Sequence, residues 1–146
     1  MRDLYHNIAV VHLLDAQDIA NTDKASDILD LAGFSGAVVS VNIGDVNTLT
    51  EDTNGVTPVL QESDTTADAD FEDVDPDDIL GAFALVDGVS AEEKSTQCVG
   101  YIGHKRYIRV NLDVKGTPVA TPVSVDGILG YPGEAPVTVP DPVTAT

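Results

Sequence analysis

The sequence predicts a mostly-β, single-domain fold: an antiparallel β-sandwich or jelly roll with an extended N-terminal arm and a Pro-rich C-terminal tail. Three observations predict it. Val, Ile and Thr are abundant, and β-branched side chains favour the pleated strand over the helix. Short apolar runs alternate with polar residues at period two. Turn residues recur at intervals of roughly ten residues, the spacing of sandwich and barrel strands. With 146 residues, 42% of them hydrophobic, the chain is the size of one ordinary domain with one core. Aromatics are only 5% and Trp is absent, so that core rests on Val, Ile, Leu and Ala.

The elements follow in order. Residues 4–14 lack helical spacing and end in polar Asp15, Gln17 and Asp18. They form an extended arm or a first strand, with a short helix as the alternative. Residues 25–31 alternate imperfectly and stop at Gly33, a turn residue. Residues 36–44 are the clearest strand, with Val39, Val41 and Ile43 on one face and Ser40 and Asn42 on the other. A polar loop, 45–55, follows. Residues 56–63 are the next strand, and Pro58 implies an edge or a bulge because it has no N–H to give a central ladder. Residues 64–70 make an acidic turn, Phe71 and Val74 a short strand or anchor, and 79–86 a further strand closed by a turn at Asp87-Gly88.

Residues 97–102 and 107–114 are expected to form a hairpin around Gly103-His104-Lys105-Arg106. In its second arm Ile108, Val110, Leu112 and Val114 face one way, and Tyr107, Arg109, Asn111 and Asp113 the other. Residues 115–118 close it, and 119–129 return as the last strand. Four of the eight prolines, Pro132, Pro136, Pro140 and Pro142, lie beyond Gly130. That tail cannot pair as a central strand; it runs extended along a surface or stays disordered. The sandwich domain, arm included, is therefore 1–130 and the tail 131–146, with no internal repeat.

Formal net charge is -18, from 25 acidic and 7 basic residues. Such a chain repels phosphates and anionic headgroups, which disfavours nucleic-acid and membrane partners. No apolar run approaches the ~20 residues that span a bilayer, and nothing resembles a signal peptide. The expected product is soluble and made in a cytoplasm. The single cysteine, Cys98, excludes an internal disulfide and a Cys-based zinc site. Its apolar neighbours Val99, Tyr101 and Ile102 predict a buried small hydrophobe.

No catalytic constellation is visible, so no catalytic residue, cofactor or metal is assigned. His6, His12 and His104 are the only histidines, and no Gly-x-Ser-x-Gly elbow, phosphate loop, dinucleotide fingerprint or His-Glu-x-x-His accompanies them. The acids Glu62, Asp64, Asp68, Asp70, Glu72, Asp73, Asp75, Asp77 and Asp78 crowd one stretch. They have Ca²⁺-type oxygens, but Asp73 stands where an EF-hand loop counted from Asp68 needs Gly. A solvated acidic loop is the simpler reading. Lys105, Arg106 and Arg109 hold three of the seven basic residues, beside Tyr101 and Tyr107. Tyr101, Lys105, Arg106, Tyr107 and Arg109 are the candidate interface residues, since Tyr and Arg often carry interface energy. Local pairing with the acidic loop is the equally weighted structural alternative.

Met1-Arg2-Asp3-Leu4, Leu60-Gln61-Glu62-Ser63-Asp64, Phe71-Glu72-Asp73-Val74 and the run from Val99-Gly100-Tyr101-Ile102-Gly103 to Val110 occur in this order. In that, the chain resembles a family of small tailed-bacteriophage proteins whose genes tend to sit beside the major capsid protein. The resemblance spans roughly residues 1–136, and its most specific part is Val-Gly-Tyr-Ile-Gly. It implies a virion component. The expected function is capsid decoration, or cementing: binding the outer head surface between major capsid subunits. The expected location is the virion surface, and the expected partner is the major capsid protein. The chain is expected to self-associate, as a trimer in preference to a dimer. The alternatives are a head–tail connector or tail component, and a carbohydrate- or host-surface-binding sandwich module. The scarcity of aromatic platforms argues against the last.

Overall fold

A computed structural model describes residues 3–44, 55–86, 95–116 and 120–146. The strands are β1 (Ile8–Ile19), β2 (Lys24–Ala25), β3 (Leu29–Asp30), β4 (Phe34–Ile43), β5 (Gly55–Ser63), β6 (Glu72–Asp73), β7 (Ile79–Leu80), β8 (Ser95–Tyr101), β9 (Tyr107–Lys115) and β10 (Thr121–Pro132). Every described pairing is antiparallel. One sheet has the order β1-β10-β4-β8-β7; the other has the order β2-β9-β5-β6, with β3 also on β9. The chain is thus mostly β in two antiparallel sheets, as the composition predicts. The loop at 45–54, the Asp87-Gly88 turn and residues 117–119 lie outside the described residues.

Period two decides which side chains are inside. Val39, Val41 and Ile43 of β4, Val123, Val125 and Leu129 of β10, and Val11 and Leu13 of β1 are buried on the inner face of the first sheet. Val56 and Leu60 of β5 and Ile108, Val110 and Leu112 of β9 answer them from the second. Each such side chain contributes about 1.5–3 kcal/mol of transfer free energy when fully buried. Gly127 sits inward among them. A Cβ there would come within 2.7 Å of Leu29, so the glycine admits that leucine to the core.

Three expectations need correction. The N-terminal segment takes the first-strand reading and not the arm: β1 pairs with β10 from Ile8↔Gly130 to Ile19↔Thr121, with two register shifts. Its inward Ala9, Val11 and Leu13 gain burial that a detached arm forfeits. The 97–102/107–114 hairpin does not exist, because β8 pairs with β4 and β7 while β9 pairs with β5, β2 and β3. The segment between them crosses from one sheet to the other. Both strands carry an apolar face, and placing them in opposite sheets lets those faces pack on each other. Cys98 is exposed rather than buried, since its neighbour Val99 takes the inward position.

Other elements are shorter than expected. Within 79–86 only Ile79–Leu80 form a strand, on β8, while Val86 bridges Val56 in the opposite sheet. Residues 25–31 likewise contribute two short pieces, β2 and β3, to β9, and the Asp27 N–H bonds the Leu13 carbonyl of the first sheet. Pro58 is placed as its chemistry requires. Val56 directs its N–H away from β9, toward Val86, so Pro58 two residues on points its ring nitrogen off the β9 ladder as well. Beyond β10, Val137 donates to His6, Val143 pairs with Ile28, and Thr146 donates to Thr66.

Candidate functional site

At one end of the molecule the crossing from β8 to β9 wraps around the Tyr101 side chain. Tyr101 is buried. Its hydroxyl donates to Glu62 Oε2 at 2.5 Å and accepts from the Lys105 N–H at 2.9 Å. Burial, and then the Glu62 carboxylate, push the phenol far above its ordinary value. Gly103 makes the wrap possible. A Cβ there would lie 2.5 Å from the Tyr101 hydroxyl, closer than such atoms approach. The Tyr-Ile-Gly part of the sequence pattern is therefore a packing requirement: the tyrosine fills the corner and the glycine lets the chain turn over its ring.

The acidic stretch closes the same end. Glu62 takes Tyr101, Asp64 takes Lys105 at 2.6 Å, and Asp68 takes Arg109. Three acids thus bind three residues of the 101–109 segment. Arg109 is buried, with Nε on Gln61 Oε1 at 3.0 Å and its guanidinium 4.2 Å from the centre of the Phe71 ring. Phe71 serves as the expected anchor, set over this arginine. Arg106 forms a two-pronged bond to Asp30, at 3.0 and 2.8 Å, and lies 5.0 Å from the Tyr107 ring centre. Arg106 holds the Asp30 carboxyl below its ordinary value, and Asp64 holds the Lys105 ammonium above its own.

Of the five residues singled out by sequence, two are inside and three outside. Tyr101 and Arg109 are buried, while Lys105 and Tyr107 are half-buried and Arg106 is exposed. Lys105 and Arg106 edge an open cleft of about 640 Å³ between the 31–37 and 101–106 segments. Leu31, Phe34, Ser35, Ile102 and His104 line it too. Both cations at the cleft are already paired, Lys105 with Asp64 and Arg106 with Asp30. Sequence reasoning missed Asp30 as part of this end, and it placed Glu62 in the acidic stretch without pairing it to Tyr101. The signal for both partners was charge: acids in an otherwise apolar strand or beside an apolar run need a partner when buried.

Three further acids of the stretch are engaged locally. Asp70 accepts from the Thr65 hydroxyl, Asp73 from the Gln61 amide, and Asp75 caps the Asp77 N–H. Among the described residues no three His, Cys, Asp or Glu side chains gather as a metal site. His6 bonds Asp3, and His12 bonds both Asp15 and Asp126, all at the surface and away from the cleft. No helix among the described residues is long and apolar enough to cross a membrane. Compared with known proteins, the chain matches no family model and no curated sequence.

Proposed function

We propose that this chain is a non-catalytic virion protein that decorates a bacteriophage head, binding the outer surface where major capsid subunits meet. The observation that carries the reading is the Tyr101–Arg109 corner. It begins in Val-Gly-Tyr-Ile-Gly, residues 99–103, the most specific part of the bacteriophage resemblance, and it is braced by Glu62, Asp64, Asp68 and Asp30 into a fixed presenting surface. Ile102, His104 and Arg106 stand out from it. Such a pre-organised corner pays little ordering entropy on docking. Tyr107, Lys105 and Arg106 are its contact residues in this reading; Tyr101 and Arg109 shape it from inside.

The strand order supports the same reading. With β7 set aside and β2–β3 taken as one strand, each sheet interleaves early and late strands, β1-β10-β4-β8 against β2-β9-β5-β6. We read this as a jelly-roll wrap, with residues 131–146 as an extended tail lying on it. Jelly rolls recur in viral capsid and lectin domains. Because one fold hosts many functions, the corner and not the wrap carries the assignment. Multiplicity on a lattice would turn many weak corner contacts into firm retention.

The test is a quantitative gel of purified particles. A 15.3 kDa band approaching the capsid protein in abundance is the expected result. A copy number of roughly a dozen, as ring symmetry dictates, would assign the chain to a connector instead. Absence from the particle would overturn the reading, and binding on a glycan array would then favour the lectin-like alternative.

A further inference from the structure

The outward face of the five-stranded sheet is divided by row. Val10, Ile128, Val38, Gly100 and Leu80 stand in register across all five strands. Val10, Val38 and Leu80 are 53%, 36% and 58% exposed. In the next row toward one end, Ile8, Gly130 and Gly36 align, and the Tyr131 ring, 80% exposed, lies over Gly36. In the next row toward the other end stand His12, Asp126, Ser40 and Cys98. Asp126 is the one carboxylate in these rows. It is bonded by His12 at 2.9 Å, whose other ring nitrogen bonds Asp15 at 2.9 Å, and by the Asn42 amide at 3.2 Å.

We propose that this face docks against the same face of a second copy of the chain, about a two-fold axis, with the Val10–Leu80 row as the seam. Charge selects the occupant. Two copies of a chain of net charge -18 repel wherever carboxylates meet, and in these three rows only Asp126 is acidic, with Asp15 beside it on the shared His12 at one end of the face. Size agrees. With β7 only two residues long, the four longer strands at ~4.8 Å spacing and the length of β4 at ~3.4 Å per residue give a flat area on the order of 650 Å². A stable interface needs about 800 Å² per partner. Gly100 and Gly36 are roofed by the exposed Leu80 and Tyr131 side chains, which add apolar surface to the face, while Gly130 is left open. A flat face meeting itself closes as a pair, which favours the dimer over the trimer that the sequence alone favours. The seam needs no capsid and stands or falls without one.

Sedimentation velocity of the full chain across a concentration series tests this. A dimer is expected that tightens with added salt, because salt screens the like charges and leaves the apolar seam. Val38→Glu, and separately Leu80→Glu, should weaken it by at least about tenfold with the circular dichroism unchanged. Cys98, one row from the seam, should cross-link between copies with a short bis-maleimide. A monomer at all concentrations overturns the proposal. So does a dimer indifferent to both charge variants, or one that dissociates as salt is added. A monomeric wild type whose Leu80→Glu variant no longer binds particles would assign the face to the capsid protein instead.

Discussion

Tyr101 donates its hydroxyl hydrogen to Glu62 Oε2 across 2.5 Å, joining β8 of one sheet to β5 of the other. Both residues are buried, so this bond is a polar rivet at the end of an aliphatic core. Tyr101→Phe leaves a buried carboxylate without its donor and should cost about 1–3 kcal/mol in urea unfolding. Glu62→Gln keeps an acceptor and should cost less. The double variant should cost less than the sum, since neither residue is then left unpaired by the other's loss. Additive costs would show that the bond is not coupled in the folded chain.

Gly103→Ala should destabilise the corner by about 1–3 kcal/mol, because the new methyl would meet the Tyr101 ring and hydroxyl rather than a flexible tip. Gly130→Ala is the control. A Cβ at Gly130 meets nothing within 4 Å, so its effect should stay within about 0.5 kcal/mol. Equal melting temperatures for the two variants would remove the packing account of Gly103.

Composition made the fold class legible, and period two made the strand faces legible. Val39, Val41 and Ile43 point inward as their alternation requires, and so do Ile108, Val110 and Leu112. Pairing partners were not legible. A short Gly-containing connection joins β8 to β9, and only the packing of their apolar faces across the core shows that it changes sheet. Cys98 was misplaced because an apolar run hides its phase; fixing Val99 and Tyr101 inward puts Cys98 outside. In the candidate site, clustered charge of both signs revealed that acids and bases would meet. Which acid takes which base depends on loop geometry, and Asp30, far off in sequence, takes Arg106.

Arg109 and Arg106 should respond differently to truncation. Arg109 is buried, stacked on Phe71 and bonded to Gln61 and Asp68. Arg109→Ala should cost about 2–4 kcal/mol, and Arg109→Lys should recover little, because an ammonium lacks the planar fork and the stacking face. Arg106 holds Asp30 at the surface, and Arg106→Ala should cost no more than about 1 kcal/mol. Lysine rescuing position 109 fully would mean that charge alone matters there.

His12 gives the chain a pH dependence on its outer sheet face. The imidazole lies between two carboxylates, Nδ1 at 2.9 Å from Asp126 and Nε2 at 2.9 Å from Asp15, and Asn42 also bonds Asp126 from β4. The bond to Asp126, then that to Asp15, raise the His12 pKa above the ordinary value of 6.5. A group raised in the folded chain binds its proton more tightly there than in the unfolded chain. Its stabilisation is therefore complete below pH 6.5 and is lost as pH rises through the folded value. Comparing wild type with His12→Gln by chemical unfolding from pH 5 to 9 should show a stability gap that narrows with rising pH. Surface exposure keeps the gap small, so proton NMR titration of His12 is the sharper readout. Asp126→Asn should lower the His12 midpoint more than Asp15→Asn does. A gap that widens with pH, or a midpoint at or below 6.5, would show that neither carboxylate holds the proton on His12.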